Sequence, residues 1–108
     1  MKNIDQIVNT LTLDEKVSLL SGFNSWYTNK IEKKDIPSIK MSDGPNGVRG
    51  DSTSGKSSAC FPCAISIGSS WDLELIKNIG IALGEEAQAK DVDVLLGPTI
   101  NIHRHPLG

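Results

Sequence analysis

The sequence predicts an α/β fold, the opening part of a (β/α) barrel, and three observations predict it. An apolar stripe at helical spacing runs through about residues 71–90; a short apolar run from Val92 to Leu96 is cut off by Gly97-Pro98; and an earlier extended run ends abruptly in a loop rich in glycine and proline. Helices, strand, loop, strand, helix, strand is the order in which such a barrel begins.

Ile4, Ile7, Val8 and Leu11 recur at three- and four-residue intervals, which predicts a short amphipathic helix over residues 3–10. Thr12 followed by Glu15 forms a capping box for a second helix, in which hydroxyl and carboxylate each take an orphan amide. Leu13, Val17 and Leu20 supply its apolar stripe, and Gly22 is expected to stop it. Residues 23–35 show no sustained period and read as a connecting segment with Trp26 and Tyr27 folded against something. Trp26 is either a core plug or a platform on which the C–H face of a sugar stacks. Pro37-Ser38-Ile39 is extended and leads into Lys40 to Gly50.

Residues 51–59 are rich in serine, glycine and threonine, carry no hydrophobic anchor before Ala59, and are expected to be mobile. Ala64 to Gly68 alternates apolar and small residues and is expected to form a short strand. Ser69 or Ser70 then caps the long helix, with Asp72 and Glu74 favourably placed in its first turn. Its stripe is Leu75, Ile76, Ile79, Leu83 and Ala87, with Lys77, Glu85, Gln88 and Lys90 directed mostly elsewhere. Glu85 and Glu86 point about 100° apart on a helix and cannot flank one bond. A solvated face with one buried salt-bridge partner is expected instead. Val92 to Leu96 reads as a buried strand of a parallel sheet.

Chemistry concentrates in Lys40-Met41-Ser42-Asp43-Gly44-Pro45-Asn46-Gly47-Val48-Arg49-Gly50. The two glycines, Pro45 and Asn46 force a sharp turn. At its edge the Asp43 carboxylate can accept a pair of hydrogen bonds from adjacent hydroxyls, and Arg49 offers a planar fork of donors. A vicinal diol, as on a sugar, suits that pairing. The plainer reading has Asp43 capping its own turn and Arg49 on the surface.

The net charge of -2, from 11 basic and 13 acidic residues, is spread along the chain and gives no footprint for nucleic acid or an anionic membrane. No apolar run of signal-peptide or membrane-spanning length is seen, so cytoplasmic residence is the expectation. Cys60-Phe61-Pro62-Cys63 raises a redox or metal module as a rival, but it lacks the preceding apolar strand and the helix opening directly on the pair. Two reduced, partly buried thiols are expected. His103 and His105 sit at a spacing that matches no zinc ribbon or finger, so no metal is expected.

The blocks Thr12 to Gly22, Trp26, Ile36 to Ile39, Ser42 to Gly50, Phe61-Pro62, Ser70-Trp71-Asp72, Gly84 to Ala87, Leu95 to Pro98, Asn101 to Arg104 and Pro106-Leu107-Gly108 resemble, in order, the amino-terminal region of family 3 glycoside hydrolases, the β-glucosidase family. The resemblance runs from about Leu11 to the last residue. It implies the amino-terminal portion, over residues 1–108, of an incomplete TIM-like barrel domain with a sugar pocket at the carboxyl ends of the strands. It assigns Asp43 and Arg49 to the subsite of the terminal non-reducing sugar, and Arg104 as a further candidate in the Asn-Ile-His-Arg block.

The resemblance also implies retaining hydrolysis of terminal β-D-glucosyl residues, with β-glucosides or oligosaccharides as substrates. That mechanism needs two carboxyl groups roughly 5 Å apart, and the family's nucleophilic aspartate and acid/base glutamate both match sequence later than this chain. No catalytic residue is therefore assigned here. A complete barrel takes about 250 residues, so the chain is expected to be a truncated or split fragment without turnover alone, able to meet a complementary chain or self-associate. The alternative is a non-catalytic module binding sugar or a partner. No cofactor is implied, since hydrolysis by carboxylates uses only water.

Overall fold

The computed structural model describes residues 3–50, 56–99, 105 and 107. These fall into two compact units, Met1–Met41 and Ser42–Gly108.

In the first unit, α1 (Ile4–Thr10) starts at Asn3, whose side chain accepts from the Asp5 amide at 3.0 Å. Helix α2 (Leu13–Leu20) opens on the expected capping box: the Glu15 amide donates to Thr12 Oγ1 at 3.2 Å and the Thr12 amide to Glu15 Oε2 at 2.8 Å. Its end differs from expectation. The helix closes before Gly22, and the Asn29 side-chain amide donates to the carbonyls of Ser18 at 2.9 Å and Ser21 at 3.1 Å. A distant side chain thus satisfies carbonyls that a helix end leaves orphaned. Gly22 instead pairs with Thr28.

The connecting segment is more ordered than its lack of period suggests. Asn24 Oδ1 accepts from the Trp26 and Tyr27 amides at 2.8 and 3.0 Å, an Asx-type turn. Trp26 and Tyr27 are half-buried. The bridge Tyr27–Lys40 brings the Lys40 ammonium 5.9 Å from the Tyr27 ring centroid, a cation–π contact. A 3₁₀ turn, Glu32–Lys34, and a left-handed Asp35 close a loop whose ends pair through Ile31 and Ile36. Among the described residues of this unit, Leu11 and Ile31 are the buried apolar ones.

In the second unit, β1 (Met41–Asp43), of which Ser42 and Asp43 open the unit, pairs with β2 (Val94–Leu96). Between them lie α3 (Ala64–Gly68) and α4 (Leu73–Ala89). The strand expected at residues 64–68 is therefore a helix. Five residues of apolar and small alternation also place Ala64 and Ile67 three apart on one helical face, and those two are half-buried while Ile65 is 72% exposed. The cap of α4 moves as well. Trp71 is left-handed at φ 55°, which separates α3 from α4, and Asp72, rather than Ser69 or Ser70, accepts the Leu75 amide at 2.9 Å.

The stripe on α4 forms but is incompletely covered, with Leu75 and Ile76 still exposed. Strand β2, expected to be buried, shows Val94 and Leu96 at the surface, because among the described residues its sheet has two strands. Among the described residues no helix is long and apolar enough to cross a membrane.

Two kinds of glycine follow from this geometry. Gly44 has φ 131°, and a Cβ there would lie 1.8 Å from the Gly47 carbonyl oxygen. Gly80 on α4 faces open space. Gly44→Ala is expected to cost about 3 kcal/mol, whereas Gly80→Ala should gain up to about 1 kcal/mol through helix propensity. Urea denaturation of the two variants beside the parent chain checks both signs.

Candidate functional site

The loop after β1 is built on glycine and on buried polar contacts. The Gly47 amide donates to the Gly44 carbonyl at 3.2 Å, closing a four-residue turn, and the Arg49 amide donates to the Asp43 carbonyl at 3.0 Å. Ser42, fully buried, donates from Oγ to the Asp43 carbonyl at 2.8 Å and accepts from the Gly50 amide at 2.8 Å. A Cβ on Gly47 would stand 1.8 Å from the Ala59 carbonyl oxygen, so the chain at residues 59–61 lies directly against the turn. The Phe61 amide donates to the Asn46 carbonyl at 2.7 Å across the same approach.

The last turns of α4 hold this assembly. Glu86 Oε2 accepts from the Val48 amide and Oε1 from the Ala59 amide, each at 2.7 Å. Lys90, one turn on, lies 3.7 Å from Glu86 Oε1, donates to the Val48 carbonyl at 2.5 Å, and reaches Ser58 Oγ in a short hydrogen bond. Val48 itself is fully buried, with its amide bonded to Glu86 on α4 and its carbonyl to Lys90 at the C-cap of that helix.

Burial raises the proton affinity of Glu86. The amides of Ala59 and Val48 and the Lys90 ammonium together outweigh it, so the carboxyl is held below the usual carboxylate range.

The expected site residues are placed as follows. Asp43 ends β1 and is half-buried; its backbone carbonyl is used by the fold. Among the described residues its carboxylate makes no hydrogen bond and does not cap its own turn, which Gly44 and Gly47 close through backbone atoms. Arg49 is exposed, and its amide, not its guanidinium, is bonded to Asp43. The structure therefore joins these two residues through their backbones. Arg104, with Asn101 to His103, lies outside the described residues, while the amide of Leu107 donates to His105 Nδ1 at 3.1 Å.

Further expectations are revised. Lys90, expected to point away from the packed side of α4, is one of the two buried polar residues among those described, because Val48 and Ser58 offer it acceptors. Residues 56–59, part of the stretch with no hydrophobic anchor before Ala59 that is expected to be mobile, make polar contacts: Lys56 Nζ donates to the Ala89 carbonyl at 2.7 Å, and Ser58 and Ala59 join the Lys90–Glu86 cluster. Residues 51–55 lie outside the described residues. Cys60 and Cys63 are free and exposed, not partly buried. Among the described residues no group of three His, Cys, Asp or Glu side chains gathers to hold a metal ion.

Of the Glu85-Glu86 pair, expected to supply one buried salt-bridge partner, Glu86 makes the ion pair, from a half-buried position. Its i, i+4 relation to Lys90 was the available sequence signal; the two loop amides it holds had none. A separate groove of about 480 Å³ lies between α3, α4 and Pro98, lined by Pro45, Ile65, Ile67, Ile76 and Leu83. Neither Asp43 nor Arg49 lines it.

A model of the glycosyl hydrolase family 3 N-terminal domain matches residues 2–107. The chain belongs to glycosyl hydrolase family 3. A β-glucosidase of Rhizobium radiobacter is 53% identical over 106 residues, 96% of this chain and 13% of that protein. Probable β-glucosidase I of Emericella nidulans is 50% identical over 107 residues, 98% of this chain and again 13% of the relative. The crystal structure of Kluyveromyces marxianus β-glucosidase in complex with glucose superimposes with a TM-score of 0.88 at 42% identity, over 96% of this chain and 13% of that one. The chain thus spans about 13% of the length of the family 3 relatives it matches, and its mixed helix and strand is the α/β arrangement of that region.

The lowered pKa of Glu86 has a sign in stability. A carboxyl that binds its proton less tightly when folded stabilises the fold above the unfolded value, about 4.3, and loses that contribution as pH falls through the lower folded value. Glu86→Ala is expected to cost on the order of 3 kcal/mol at neutral pH by leaving two amides without their acceptor and taking the carboxylate from beside the buried Lys90 ammonium. Urea denaturation at successive pH values should show the gap between parent and variant narrowing below about pH 4.

Proposed function

We propose that this chain is the amino-terminal portion of a TIM-like barrel domain of a β-glucosidase, and that it carries part of the subsite for the terminal non-reducing glucosyl residue. Asp43 accepts hydrogen bonds from neighbouring sugar hydroxyls, Arg49 supplies donors at the same subsite, and Arg104 is assigned there on its motif alone. The observation that carries this reading is Asp43 itself. Asp43 stands at the end of a strand, before a turn closed by the Gly47 amide on the Gly44 carbonyl, and among the described residues its carboxylate is spent on no hydrogen bond of the fold. A carboxylate offering two acceptor oxygens suits a vicinal diol. The relatives' names and the glucose in the Kluyveromyces marxianus complex support glucose as the sugar.

In this reading the bond is hydrolysed by a retaining pair of carboxyl groups supplied by family sequence beyond these 108 residues. Asp43 does not replace them, because a group gripping hydroxyls at the far side of the ring is not placed to attack the anomeric carbon. The uncovered face of α4 and the surface-exposed Val94 and Leu96 favour docking of further polypeptide, either a complementary chain or a second copy.

Isothermal titration with glucose tests the assignment: Asp43→Ala is expected to remove the heat seen with the parent chain, and equal heat from both would overturn it. A chromogenic β-glucoside should show no turnover by the purified 108-residue chain; robust hydrolysis would refute the division of labour.

A further inference from the structure

We infer that Glu86, acting with Lys90, is a positioning residue for sugar binding: it sets the placement of Asp43 from the last turns of α4 without touching the sugar. The inference rests on the reading of Asp43 as the hydroxyl-gripping group and deepens it.

The geometry is a chain of short links. Glu86 divides its two oxygens between the Val48 and Ala59 amides, 38 and 27 residues away in sequence, at 2.7 Å each. Lys90, the C-cap of α4, takes the carbonyl of the same Val48, so one residue of the loop is held at both backbone polar groups from the end of one helix. Ser58 Oγ donates to that carbonyl at 2.5 Å and is itself bonded by Lys90. From Val48 the next residue, Arg49, donates its amide to the Asp43 carbonyl. Gly50 is tied to Ser42 on the other side of Asp43.

The backbone of Asp43 is therefore positioned by its hydrogen-bonded neighbours, and their anchor is the Glu86–Lys90 pair. Besides this pair the loop is held by its own Gly44–Gly47 turn, by the Phe61–Asn46 backbone bond and by Val48, its one fully buried apolar side chain. A carboxylate is needed at this position because both of its oxygens accept. In Glu86→Gln one acceptor becomes an NH₂ donor that faces a backbone N–H, so one of the two amides loses its partner while size and shape are kept.

The test combines amide hydrogen exchange with a glucose titration followed by NMR at residues 43–50, on the parent chain and on Glu86→Gln, Glu86→Asp, Glu85→Gln and Asp43→Ala. Glu86→Gln is expected to lose at least tenfold of the exchange protection at the Val48 or Ala59 amide and to weaken glucose binding about tenfold. Glu85→Gln, exposed and adjacent, should match the parent. Glu86→Asp keeps two acceptor oxygens but is a poorer helix former than glutamine. It should recover part of the affinity, whereas a role confined to helix stability would make it the worse variant.

Asp43→Ala should abolish the glucose response with both amides still protected. A Glu86→Gln variant whose amides stay protected, or whose glucose affinity equals that of a responding parent, overturns this inference alone. A parent chain with no glucose response overturns the sugar reading of Asp43, and this inference with it.

Discussion

One carboxylate, that of Glu86, holds a backbone amide from each of two segments, the loop after β1 and the chain at Ala59. The loop after β1 is mostly glycine, proline and polar residues, with Val48 its one fully buried apolar side chain, so hydrophobic burial alone does little to pin it. Its order comes from hydrogen bonds made to charged groups in a partly dry environment, which are stronger than those between neutral groups. Helix α4 provides the rigid base for those groups, and the i, i+4 spacing of Glu86 and Lys90 lets them act together on the same stretch of chain.

Seen from that anchor, the glycines of the loop have a physical role. Gly44 adopts a conformation that L side chains rarely take, and Gly47 admits the carbonyl of Ala59 at a distance no Cβ would allow. Close approach of backbone to backbone is what places the Val48 and Ala59 amides within reach of one carboxylate. Glycine and Glu86 are two halves of one device: the first permits the approach and the second makes it favourable.

The same device leaves Asp43 free. The fold uses its backbone carbonyl, which accepts from Ser42 and Arg49, and among the described residues spends none of its carboxylate. Holding the main chain while sparing the side chain is what a binding group requires, because a carboxylate already satisfied within the protein would have to give up those bonds to take a hydroxyl.

Much was legible in the sequence because it depended on near neighbours. The capping box of α2, the span of α4 to within about two residues, the strand ending at Asp43 and the tight turn behind it are all set by residues a few positions apart, whose propensities and spacings are local properties. The family blocks were legible for a different reason, since their order and residue identities are recorded directly in the chain. What tertiary structure decided is where local patterns were ambiguous or the partner was distant. Residues 64–68 fit a strand or a helix by alternation, and packing of Ala64 and Ile67 chose the helix. Asn29, and not Gly22, finishes α2; Lys90 is drawn inward by Val48 and Ser58; and Glu86 finds acceptor work 38 and 27 residues away. A hydrogen bond between groups so far apart leaves no periodic trace in the sequence, because its cost and its gain are realised only once the chain has brought them together.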